Sequence, residues 1–120
     1  MSLFKQISVT TFYVTDWERA KEFYNRVLGW PVAWADDEIG WIEWGAPEAT
    51  HIAINRRDEP GPLPVGTGCT AVLAVDDAHA VTKALRAQGV RCEDVVEIPN
   101  VVTYGTFYDP DGNRIQFANG

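Results

Sequence analysis

The chain has 120 residues, enough for one compact domain with a real core. Apolar residues make up 46% and charged residues 22%, which excludes a disordered chain. Lys plus Arg is 10 against 17 Asp plus Glu, a net charge of −7 with no basic stripe, which argues against nucleic acid and anionic membrane as partners.

ISVTTFYV, residues 7–14, is rich in β-branched and aromatic residues and predicts a strand. Asp16 follows as a helix N-cap, its carboxylate placed to accept amide protons of the first turn. Ala20, Phe23, Tyr24, Val27 and Leu28 then recur at three- and four-residue spacing, an apolar stripe on one helix face. Gly29 sits where a left-handed terminator belongs, and Pro31 blocks continuation. PVAWAD, GWIEWG and THIAINR predict three short strands. Alternation puts Trp41 and Glu43 on one face against Ile42 and Trp44, and His51, Ala53 and Asn55 opposite Ile52 and Ile54.

RRDEPGPLPVGTG follows, too rich in proline and glycine for an element interior. It predicts a linker over about 57–67 between module one, about 5–56, and module two, about 68–120, within one domain spanning 1–120. CTAVLAV predicts a strand, and Asp76 or Asp77 caps a second helix whose Val81, Ala84 and Leu85 face inward. Gly89 ends it, repeating Gly29. VRCEDVVEI, VTYGTFYD and RIQFAN predict three more strands. The DPDGN turn, Asp109 to Asn113, joins the last two. The expected fold class is therefore α+β: two repeated β-α-β-β-β modules with curved mixed sheets around a cavity.

Cys69 and Cys92 form no CxxC motif and read as small buried apolar residues in a reducing compartment. The N-terminus lacks the basic start and apolar run of a secretion signal, and no apolar run reaches membrane-spanning length, so a cytoplasmic location is expected.

The repeat resembles the vicinal oxygen chelate superfamily, which contains glyoxalases, bleomycin-resistance proteins and dioxygenases. VTDWERAKEFYNRVLGW near the start and FYDPDGNRIQF at the end carry the resemblance. It implies a homodimer and a cavity lined by inward-facing strand residues. In the family's metalloenzymes those residues are His, Glu or Gln ligands; the matching positions here are Val9, His51, Thr70 and Gln116. Valine cannot ligate, threonine is a poor neutral ligand, and two neutral donors leave a dication uncompensated. The expectation is therefore no cofactor. A divalent metal (Zn, Ni, Mn or Fe) stays open as the alternative, held by His51 and Gln116.

His51 has three readings: metal ligand, general base in a metal-free cavity, or a buried polar residue satisfying its neighbours. Glu43 shares a face with Trp41. Burial there would raise its pKa and suit it to acid or base work, whereas an edge strand would leave it solvated. His79 reads as a surface residue. Five tryptophans are heavy use of a rare residue, and they serve either an aromatic clamp or a core or dimer interface. The expected ligand-binding set is Trp34, Trp41, His51, Thr70, Tyr104, Phe107 and Gln116, with His51 and Glu43 as the catalytic candidates. The leading expectation is a metal-independent, bleomycin-resistance-like binder of an aromatic or cationic small molecule. The alternatives are a glyoxalase-like lyase or isomerase, or a dioxygenase, using a divalent metal, and an accessory module whose aromatic surface binds protein.

Overall fold

A computed structural model describes residues 2–3, 5–57, 66 and 68–119. The chain divides into two compact units, 1–62 and 63–120, the boundary falling in the proline-rich segment. Most of the linker expected over 57–67 lies outside the described residues.

The first unit runs β1 (Val9–Val14), α1 (Trp17–Leu28), β2 (Val32–Asp36), β3 (Trp41–Trp44) and β4 (His51–Arg56). Its four-stranded sheet has the order β1-β4-β3-β2, with β1 and β4 parallel and the other pairs antiparallel. The Asp16 side chain accepts from the Arg19 backbone N–H, and Gly29 takes the left-handed conformation at φ 63, so both ends of α1 are satisfied as its sequence demands. Trp17, Ala20, Phe23 and Tyr24 of α1 are buried. They pack with Phe12, Val14, Ile42, Trp44, Ile52 and Ile54, which alternation brings to one face of the sheet. Trp44 is the centre of this core. It is fully buried, stacks on Tyr24 with centroids 5.7 Å apart, and donates from Nε1 to Asn25 Oδ1 at 2.7 Å.

The second unit runs β5 (Ala71–Ala74), α2 (Ala78–Ala87), β6 (Arg91–Cys92), β7 (Val96–Ile98), β8 (Val102–Tyr108) and β9 (Arg114–Asn119). Its sheet has the order β5-β9-β8-β6, with β7 also on β8, and β5 and β9 are parallel. Asp77, not Asp76, caps α2. The single strand expected over 90–98 is instead two short strands on one partner. Cys92 pairs Phe107 and Val96 pairs Tyr104, which leaves one extra residue between them, a bulge at the sheet edge. Glu93, Asp94 and Val95 occupy the break, and Arg86 reaches across to Cys92 O and Asp94.

The inward face of α2 also differs from expectation. Ala78, Thr82 and Leu85 are buried, while Ala84 is exposed. The Thr82 hydroxyl donates to Ala78 O at 2.9 Å, so the side chain is buried without an unsatisfied polar group. It lies against Gly105 of β8, where a Cβ would clash with the Phe117 ring and crowd Thr82 Oγ1. Phe107, Ile115 and Phe117 complete this core.

Trp44→Ala removes the largest fully buried side chain and leaves Asn25 without its donor. The expected cost is about 3–5 kcal/mol of unfolding free energy, read as a lower midpoint in urea denaturation.

Candidate functional site

Each helix covers one face of its sheet, and the predicted site residues largely fall on the other. In the first unit the uncovered face carries Val9, Tyr13, Trp34, Trp41, Glu43 and His51. Register puts Trp34 beside Glu43, Glu43 beside Ala53, and Val9 beside His51. Trp34 is 50% exposed and Tyr13 is 51% exposed. The Arg57 guanidinium lies over the Tyr13 ring, 5.6 Å from its centroid.

His51 and Glu43 form one unit. His51 Nδ1 and Glu43 Oε1 are 2.6 Å apart, and His51 Nε2 lies 2.7 Å from Ala46 O. A carbonyl oxygen only accepts, so Nε2 carries a hydrogen and donates it. Trp41 Nε1 donates to the other Glu43 oxygen at 3.1 Å. The hydrogen bond from His51 holds the Glu43 carboxyl below its ordinary range, and the Trp41 donor adds to that. In turn the Glu43 hydrogen bond, then Ala46 O, raises the His51 pKa. The arrangement is thus an imidazolium–carboxylate pair, and the rise considered for Glu43 under burial is replaced by a fall. Both side chains are mostly covered, with 15% and 23% of their surface exposed. Gly45 makes the seat: at φ 143 its missing Cβ leaves room for the His51 ring, which a methyl there would strike.

In the second unit the uncovered face carries Thr70, Val72, Tyr104, Thr106, Tyr108, Arg114 and Gln116. Gln116 Nε2 donates to Thr106 Oγ1 at 3.2 Å, and Thr70 Oγ1 accepts from Arg114 Nε at 3.0 Å. Gln116 is paired across β5–β9 with Val72, not Thr70. Thr70 is therefore one alternation step away from the position that mirrors Val9 beside His51. Phe107 does not belong with this set. It is 3% exposed, sits 6.1 Å from the Phe117 ring, and faces α2, opposite Tyr104. His79 is exposed, as expected of a surface residue, and pairs with Glu97.

Three residues escaped the sequence reading. Arg91 pairs Tyr108 across β6–β8, and Tyr108 pairs Arg114 across β8–β9, so the three form a row over the uncovered face. The Arg91 guanidinium lies 4.1 Å from the Tyr108 ring centroid. Tyr108 donates to Glu93 Oε2 at 2.7 Å, which raises its pKa. Alternation was the available signal, since Arg114 is two residues from Gln116 and Tyr108 is four from Tyr104.

In the first unit the expected donors do not fit a metal centre: both His51 nitrogens are hydrogen-bonded to oxygens, and Val9, its register partner, has no donor atom. Among the described residues no three His, Cys, Asp or Glu side chains gather in a group able to hold an ion. No helix of the described residues is long and apolar enough to cross a membrane.

Two mixed sheets, each with one helix and a strand–helix–strands order, define the fold class of the glyoxalase-type proteins. The chain belongs to the Glyoxalase/Bleomycin resistance protein/Dioxygenase superfamily, whose family profile matches residues 6–117. No curated protein matches the chain by sequence. Among solved structures it is similar to TnmS3, an antibiotic binding protein from Streptomyces sp. CB03234, with TM-score 0.78 and 23% identity over 98% of this chain and 97% of that one. It is also similar to the integron cassette protein HFX_CASS4 from the Halifax Harbour sewage outfall metagenome, with TM-score 0.79 and 18% identity over 98% and 100% of the two chains. A lactoylglutathione lyase from Agrobacterium tumefaciens matches with TM-score 0.75 and 18% identity over 96% and 93%. At these identities the likeness establishes the fold.

The charged pair has a defined pH signature. His51 has a raised folded pKa, so its contribution to stability is complete below the ordinary 6.5 and is lost as pH rises through the folded value. Glu43 has a lowered one, so its contribution is complete above 4.5 and is lost as pH falls through the folded value. Between 4.5 and 6.5 both contribute in full. In an NMR titration His51 should titrate above 6.5, and Glu43→Gln should bring it back towards that value. A His51 that titrates identically in both proteins would refute the pair.

Proposed function

We propose that the chain is a metal-independent small-molecule-binding protein of the bleomycin-resistance type, acting in the cytoplasm as a homodimer. The observation that carries this reading is the commitment of His51. Both of its ring nitrogens are engaged by oxygens, and Val9, its register partner in the ligand pattern, has no donor atom. What the uncovered face of the first sheet offers instead is aromatic surface, Trp34 and Trp41 held beside the Glu43–His51 pair. Indole rings supply large, rigid contact area at low entropic cost. The antibiotic-binding description of TnmS3 is consistent with such a role on this fold. Cys69 is exposed and Cys92 part-buried, against the expected burial of both; each is a free thiol, which suits a reducing compartment. The enzymatic alternatives, lyase, isomerase or dioxygenase, draw on likeness of fold alone, and fold does not carry function.

Two measurements test the proposal. Protein purified without chelator should contain far less than one equivalent of Zn, Ni, Mn or Fe, and these ions should leave Tm unchanged. Titration with the neutral aromatic probe N-phenyl-1-naphthylamine should give saturable fluorescence enhancement, weakened about three- to tenfold in Trp34→Ala. One equivalent of chelator-removable metal, or saturable binding of neither this probe nor its sulfonated analogue 8-anilinonaphthalene-1-sulfonate, would overturn it.

A further inference from the structure

We propose that Arg91, Tyr108 and Arg114 form an oxyanion-binding row, so that the ligand is an aromatic acid rather than a neutral or cationic molecule. The proposal rests on the small-molecule-binding reading and names the chemistry that one sheet face selects.

Three observations converge. First, strand register places the three side chains side by side on the uncovered face of the second sheet. Second, the two arginines are held by groups that leave donors over. Arg91 lies over a ring face, which engages its charge rather than its N–H groups. Arg114 gives only Nε to Thr70. A guanidinium has five N–H donors, and its terminal pair matches the spacing of a carboxylate, sulfonate or phosphate edge. Third, among the described residues neither arginine has a carboxylate partner, whereas Lys21, Arg26 and Arg86 each have one. In a chain of net charge −7 an unneutralised arginine pair is a local exception, and the Arg91–Tyr108 stack costs the acid nothing to organise.

The same face grades along the strands. The next row is Thr106, Gln116 and Val72, and the one after holds Tyr104 and Val96. Val72 is 59% exposed and Val96 is 41% exposed. An acid group on the arginine row would therefore lay its apolar body towards Val72 and Tyr104. Among the described residues Glu93 is the one carboxylate bonded to the row, through the Tyr108 hydroxyl, and its charge opposes an incoming anion.

Two probes share one aromatic body: 8-anilinonaphthalene-1-sulfonate carries an acid group, and N-phenyl-1-naphthylamine carries none. At low salt the full chain should bind the sulfonate about tenfold more tightly, with the preference shrinking as salt rises. The double variant Arg91→Gln/Arg114→Gln should lose that preference while keeping its affinity for the neutral probe. Both arginines are exposed, so the core is untouched. Glu93→Gln should tighten sulfonate binding, an effect that general loss of structure would not produce. Equal binding of both probes by the unaltered chain, or an undiminished preference in the double variant, overturns the arginine row and leaves the small-molecule reading standing. Binding of neither probe overturns both.

Discussion

One helix covers one face of each sheet, and that constraint shapes everything else. A strand sends successive side chains to opposite faces, so each strand must serve two environments at a period of two. In β3 the pattern is Ile42 and Trp44 into the core, Trp41 and Glu43 away from it. In β9 it is Ile115 and Phe117 inward, Arg114 and Gln116 outward. The helix face is densely aromatic and aliphatic because it must stabilise a small unit. The other face is released from that duty and can hold charge, amide and exposed indole.

On the released face the decisive contact is between His51 and its two oxygen partners. A histidine at a metal-ligand position is usually valued for a free nitrogen lone pair. Here Gly45 admits the ring into a slot where Ala46 O and Glu43 take both hydrogens. Glu43, which in isolation offers negative charge to a cation, is neutralised by that same histidine and braced by Trp41. The two groups best suited to metal chemistry therefore satisfy each other. An ion would have to break two short hydrogen bonds to gain one imidazole and one carboxylate, with no third donor among the described residues gathered beside them.

Much of this was legible from residue order alone. The caps Asp16 and Gly29, the α1 stripe and the alternation in β3 and β4 are local signals, and each agrees with the fold formed around it. The failures are non-local. Ala84 and Thr82 differ in polarity in the direction that favours Ala84 inside, yet Thr82 is buried because its hydroxyl bonds one turn back and Gly105 leaves it space. The break at Glu93 to Val95 depends on β8 being one residue shorter across the gap. Phe107 looked like a cavity aromatic because it neighbours Tyr104 in sequence, but three residues apart in a strand means opposite faces. The Glu43–His51 bond links adjacent strands through the register between them, which no spacing in the sequence states.

Charge distribution is where register matters most for specificity. Net charge of −7 suggests a cationic ligand if the surface is treated as uniform. Electrostatic recognition is local, because water and salt screen charges beyond about 10 Å. On the first sheet the carboxylate of Glu43 is matched by His51. On the second, the cations Arg91 and Arg114 are spaced by a tyrosine ring, with no acid matched to either among the described residues. A ligand meeting the second sheet's face would therefore respond to the arginine row more than to the overall excess of acids. Sign preference at a binding face is set by which charges lack partners there, and a strand register that aligns residues 91, 108 and 114 decides it more directly than composition does.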